Sequence, residues 1–211
     1  MNVTFEENIK WIPFGILTLL LVVSTGYWKI EKSREAPLKP VDQISAEDMP
    51  KSAMEGEPAP AFTLPLLGGG NISLADSNGK LVFLNIWATW CLPCREEMPS
   101  MQRLYELMGG DKFEMIAISI DKGITEVEEF VKEFGLTFPI AFDPKQTVAD
   151  QYKITGVPET YLISPDGVVM HHIIGPGEWD NPGIVSALSR AAGLKKAPAG
   201  VAEKSESSTY Q

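Results

Sequence analysis

Apolar positions in this chain come in blocks, and the blocks change character along it. Residues 11–28 (WIPFGILTLLLVVSTGYW) carry no charged side chain and are bracketed by Lys10 and Lys29. As a helix this stretch would be about 27 Å long, close to the hydrocarbon thickness of a bilayer. Its end rings, Trp11, Tyr27 and Trp28, are of the kind that settle at headgroup level. The pattern predicts one membrane span after a short N-terminal tail, residues 1–10. A cleaved secretory leader competes with it, but no A-x-A-like site follows the apolar run. Residues 29–56 mix charge with proline and lose any apolar period, as a spacer does. Residues 194–211 are polar and poor in large apolar side chains, which predicts a disordered tail.

Between 57 and 193 the periods of strand and helix alternate, predicting an α/β domain. Leu81–Trp87 (LVFLNIW) is almost continuously apolar and reads as a buried central strand. Cys94–Met108 reads as a helix with Pro99 as a kink. Phe113–Ile120 is the next strand, and Thr125–Phe134 an amphipathic helix with Val127, Phe130, Val131 and Phe134 on one face. A short strand over 138–142, a short helix over 147–152 and a strand over 160–164 follow. The turn Pro165-Asp166-Gly167 returns residues 168–174 as a hairpin, and a helix over 181–192 closes the domain.

Composition narrows the chemistry. The chain has 211 residues, 44% of them hydrophobic, and a formal net charge of −10, which argues against nucleic acid because phosphate contacts need a cationic face. Only two cysteines occur, Cys91 and Cys94, so a disulfide can form only between them within one chain. They fall just after the central strand and at the start of the next helix. There, free amides and the helix dipole stabilise a thiolate on Cys91, and a thiolate is the nucleophile of disulfide chemistry. The spacing of the pair lets one helical turn bring the sulfurs together. A zinc site competes, but it needs four ligands and the only histidines, His171 and His172, are adjacent and would face opposite ways in a strand. No metal and no cofactor is expected beyond the cysteine pair itself.

The run Phe83-Leu84-Asn85-Ile86-Trp87-Ala88-Thr89-Trp90-Cys91-Leu92-Pro93-Cys94-Arg95-Glu96-Glu97-Met98-Pro99 resembles the active-site region of membrane-anchored TlpA/ResA-like thioredoxins, the group serving cytochrome c maturation. The likeness continues through residues 58–64 (PAPAFTL), through the segment near 113–142, and through residues 155–163 (TGVPETYLI). It implies a thioredoxin fold with a central strand–helix insertion, preceded by one transmembrane helix. It also implies Cys91 as attacking thiol, Cys94 as resolving thiol, and Pro158 as a cis proline facing them. Trp90, Leu92, Pro93, Val157 and Pro158 would then bound the substrate, which can add to the loop edge as a strand. Glu159 is the acid the likeness offers for proton relay, a task suited to a carboxyl whose pKa burial raises. Two departures matter: Pro65 stands where some relatives carry a glutamate, and Asn85 stands where thioredoxins proper carry an aspartate. Glu96 and Glu97 read as solvated partners of the helix dipole.

The implied activity is reduction of disulfides in extracytoplasmic proteins such as apocytochrome c, with electrons from a membrane thiol donor. The domain would lie on the periplasmic side of a bacterial cytoplasmic membrane. Charge counting argues the other way, since Lys29, Lys32, Arg34 and Lys39 follow the span and only Lys10 precedes it. Long following domains translocate largely regardless of that count, so the expectation stays outward. Three alternatives remain open: a thiol peroxidase of redoxin type, a disulfide-forming oxidase, and a redox-inactive adaptor that presents the proline groove to peptides.

Overall fold

The structure, a computed structural model, describes Ser52 and residues 54–194. The expected span over 11–28, the spacer as far as residue 51 and the tail from 195 lie outside the described residues. Among the described residues no helix is long and apolar enough to cross a membrane.

A small hairpin, β1 (Thr63–Pro65) and β2 (Asn71–Ser73), opens the fold and leads through a 3-10 turn, Leu74–Ser77, into the main sheet. That sheet contains β3 (Leu81–Trp87), β4 (Phe113–Ser119), β5 (Ile140–Phe142), β6 (Glu159–Ile163) and β7 (Val169–Ile174), in the spatial order β5-β4-β3-β6-β7. β3 runs parallel to β4 and antiparallel to β6, so it is flanked on both edges, and every one of its residues is buried. This is why its sequence is continuously apolar rather than alternating. Asn85 is the one polar residue in it.

The helices are α1 (Leu92–Met108), α2 (Ile124–Phe134), α3 (Thr147–Gln151) and α4 (Pro182–Ala191). α1 buries Cys94, Glu97, Met98, Met101, Leu104 and Met108, a stripe at helical spacing, and continues through Pro99 as one helix. α2 buries Val127 and Phe130 fully and ends at Gly135 in the left-handed conformation, φ 63°. Fully buried Phe83, Trp87 and Tyr161 are each worth roughly 1.5–3 kcal/mol of burial.

The α/β reading therefore holds, with element ends moved by a residue or two. α1 begins at Leu92 rather than Cys94, because Cys91 takes the capping position. Residues 113–142 form β4, α2 and β5, which places β5 at one edge of the sheet. The β1–β2 hairpin was not legible in the pattern, since three-residue strands are too short to show a period. Met54 is buried and Gly56 N–H donates to the Val169 carbonyl at 2.8 Å, so the last residues assigned to the spacer pack on the domain.

Candidate active site

β3 delivers the chain to the cysteines. Beyond Trp87 the loop is clamped by Asp121, in the loop just after β4, whose carboxylate accepts from Thr89 N–H at 3.0 Å and Thr89 Oγ1 at 2.7 Å. Cys91 then caps α1: its backbone is extended, φ −85° and ψ 109°, and its sulfur accepts from Cys94 N–H at 3.2 Å. Pro93 lies in the first turn and lacks an amide hydrogen, leaving the Cys94 amide as the donor that reaches the sulfur. Cys91 and Cys94 are joined as a disulfide, Cα atoms 5.3 Å apart. Cys94 is fully buried, whereas Cys91 keeps 5% exposure beside Trp90 and Leu92, which are 68% and 65% exposed. A large incoming group can therefore reach only the first sulfur.

Facing it is the loop before β6. The Val157–Pro158 peptide bond is cis, as the resemblance implied, and the Val157 carbonyl oxygen lies 3.4 Å from Cys91 Sγ. A reduced Cys91 thiol has an acceptor there. The Pro158 carbonyl is already taken by Gly175 N–H at 2.9 Å. Arg95, next to Cys94, turns away from the sulfurs: it pairs with Glu133 at 3.1 Å and lies over the rings of Phe130 and Phe134.

The two glutamates of interest sit in surroundings other than those the sequence reading gave them. Glu159 is fully buried, and its Oε1 accepts from Thr155 N–H at 2.7 Å, Thr155 Oγ1 at 2.7 Å and Gly156 N–H at 3.1 Å. Its Oε2 meets His172 Nε2 at 2.7 Å and the Tyr161 hydroxyl at 3.0 Å. Burial pushes its pKa up, but the donors of Thr155, His172 and Tyr161 outweigh that and leave it below the ordinary glutamate value of 4.5. The expected raised pKa is thus corrected. Glu159 is a carboxylate tied into its own loop, and His172 extends the tie to Ser52 Oγ at 2.6 Å.

Glu97, read from sequence as solvated, is only 2% exposed. It sits one turn after Cys94 in the buried stripe of α1, and its carboxyl accepts from Asn85 Nδ2 at 3.0 Å, Trp179 Nε1 at 2.8 Å and Gly177 N–H at 3.1 Å. Burial raises its pKa, and those three donors lower it only in part. Asn85 also donates to Thr160 Oγ1 at 3.0 Å, while its buried Oδ1 has no partner among the described residues. The i, i+3 spacing from Cys94 was the signal that could have found Glu97, because it continues the apolar stripe through Met98 and Met101. Glu96 is exposed.

A redox pair needs one cysteine less buried than its partner and a peptide edge alongside, and this domain meets those needs in the manner of thioredoxin-fold thiol–disulfide oxidoreductases, which is its class. The AhpC/TSA family matches residues 56–172, and the chain belongs to that family, as a ResA-like redoxin. Thiol-disulfide oxidoreductase ResA of Bacillus subtilis (strain 168) is 38% identical over 125 residues, which is 59% of this chain and 70% of that one. Thioredoxin-like protein YneN of the same strain is 37% identical over 169 residues, covering 79% and 90%. Among solved structures, a thiol:disulfide interchange protein of the thioredoxin family from Chlorobium tepidum TLS aligns with TM-score 0.56 at 28% identity, over 65% of this chain and 99% of that one.

Proposed function

We propose that this protein is a membrane-tethered reductase of disulfides in extracytoplasmic proteins, with the haem-attachment cysteines of an apocytochrome c as its substrate and a membrane thiol protein as its electron donor. The observation that carries the reading is the asymmetry of the pair: Cys91 keeps 5% exposure beside the Val157–Pro158 edge, and Cys94 has none. The Cys91 thiolate, stabilised by the Cys94 amide at the start of α1, attacks one sulfur of a substrate disulfide. The Cys91–substrate bond forms, the substrate S–S bond breaks, and the departing sulfur leaves as a thiolate that takes up a proton. Cys94 gives its proton to Glu97 and attacks Cys91 Sγ. The Cys91–Cys94 bond forms, the second substrate sulfur leaves as a thiolate, and the protein is left oxidised by the two electrons the substrate has gained.

Glu97 takes the proton-relay role because it is the buried carboxyl with a raised pKa, one helical turn from Cys94. Trp90, Leu92 and Pro93 on one side and Val157 and Pro158 on the other bound the substrate segment. The cytochrome role rests on the resemblance to the TlpA/ResA group, and tethering rests on the apolar stretch 11–28. Confining enzyme and donor to one membrane raises their effective concentration.

Trapping tests the function. In Cys94→Ser the mixed disulfide on Cys91 cannot be resolved, so affinity capture from cells under non-reducing conditions is expected to retrieve an apocytochrome bound through Cys91. Retrieval of other partners alone would overturn the cytochrome role. A membrane-impermeant thiol reagent applied to intact, reduced cells is expected to label Cys91, and protection until lysis would overturn the outward placement.

A further inference from the structure

The loop between β7 and α4 reaches back under α1. Gly177 and Trp179 are 80 and 82 residues from Glu97 in sequence, yet their N–H groups end on the same carboxyl oxygen, Glu97 Oε2. The indole is 4% exposed and fixed on every side. Its ring stands edge-on to Phe83 of β3, centroids 4.8 Å apart, and its backbone N–H donates to Ser100 Oγ of α1 at 3.1 Å. The Ser100 hydroxyl also lies 3.1 Å from the Gly177 carbonyl. Gly177 has no room for a side chain, because a Cβ there would come within 2.6 Å of the indole. Nothing in the cysteine motif accounts for so closely held a ring, whose polar atom points at the buried carboxyl of Glu97, one helical turn after Cys94.

We infer that Trp179 is a positioning residue for the thiol chemistry: its indole N–H holds the Glu97 carboxyl on the buried side of Cys94, so that the loop between β7 and α4 governs closure of the mixed disulfide. This rests on Glu97 as the proton acceptor of Cys94. An acceptor serves only if its carboxylate form is accessible in the buried site, and each N–H aimed at it favours that form. Asn85 on β3 and Gly177 supply the other two donors. The charged neighbours on the loop are Glu178 and Asp180, the latter paired with Arg103 at 2.6 Å, and none of these contributes to the shift at Glu97.

Stopped-flow reaction of the reduced, full-length protein with 5,5′-dithiobis(2-nitrobenzoate) separates the steps. The first thionitrobenzoate released reports attack by Cys91, and the second reports closure by Cys94. Glu97→Gln is expected to lose the lower limb of the pH profile of the second phase. Trp179→Phe keeps a smaller aromatic ring and removes the donor, and is expected to move that limb upward by about one pH unit, the worth of one hydrogen bond to a charged group. At a fixed pH below the limb, closure should then be about tenfold slower, with the first phase unchanged. Gly177→Ala displaces the indole without removing it and is expected to move the limb the same way. A limb unmoved in Trp179→Phe but lost in Glu97→Gln would overturn the inference alone. A limb intact in Glu97→Gln would overturn the proton role of Glu97 and the inference with it.

Discussion

Glu97 and Glu159 show how little the residue type decides. Both are buried, but Glu159 is met by donors from Thr155, Gly156, Tyr161 and His172, whereas Glu97 has three donors that do not fully offset its burial. Their effects on stability carry opposite signs. The folded pKa of Glu159 is depressed, so its stabilisation is present above the ordinary value of 4.5 and is lost as pH falls through the lower folded value. The folded pKa of Glu97 is raised, so its contribution is present below 4.5 and is lost as pH rises through the higher folded value. In Glu159→Gln the loss of stability on acidification below 4.5 should flatten, as read from urea midpoints across the pH range. An unchanged acid slope would show that Glu159 is not the group lost there. Glu159→Ala leaves two backbone N–H groups, of Thr155 and Gly156, without their acceptor and should cost about 3 kcal/mol in equilibrium unfolding. The sequence offered Glu159 as the relay acid and read Glu97 as solvated, and it could not see their surroundings, because these depend on Trp179 and His172, 82 and 13 residues away.

At the scale of elements, the strand-to-helix passage carries the chemistry. β3 ends, Asp121 of the neighbouring loop fixes Thr89, and α1 begins with Cys91 as its cap. Asp121→Ala removes two hydrogen bonds from that passage and should cost about 1–3 kcal/mol of stability. It should also broaden the range of alkylation rates at Cys91, measured with iodoacetamide on the reduced protein. The two residues between the cysteines, Leu92 and Pro93, bring no cation near the thiolate. Pro93→His introduces one and restores an amide donor in the first turn of α1, so it should make the pair more oxidising, by about 30 mV for each tenfold change in equilibrium constant against glutathione. A potential unmoved by this change would mean that the helix terminus alone sets the thiolate. The strand and helix of this passage were readable from the sequence. So was the place of Cys91 at the helix start, whereas the single amide that reaches its sulfur, that of Cys94, is fixed by backbone angles that only the packed helix imposes.

For the whole molecule, the direction of electron flow is a statement about stability. A reducing pair is one whose folded protein favours the disulfide, so the oxidised form should unfold at higher temperature than the reduced form when each is heated with and without dithiothreitol. The reverse order would identify a disulfide-forming enzyme. By itself the sequence determined the alternation that makes an α/β sheet, the continuously apolar β3, and the placement of two cysteines at a helix start, because strand and helix periods and a two-residue spacing are local properties. The tertiary structure alone decided which sulfur is buried deeper, that the pKa of Glu97 is raised and that of Glu159 lowered, and that Gly177 and Trp179 reach Glu97. Exposure and proton affinity are set by neighbours distant in the chain, and only a closed core brings those neighbours within hydrogen-bonding distance.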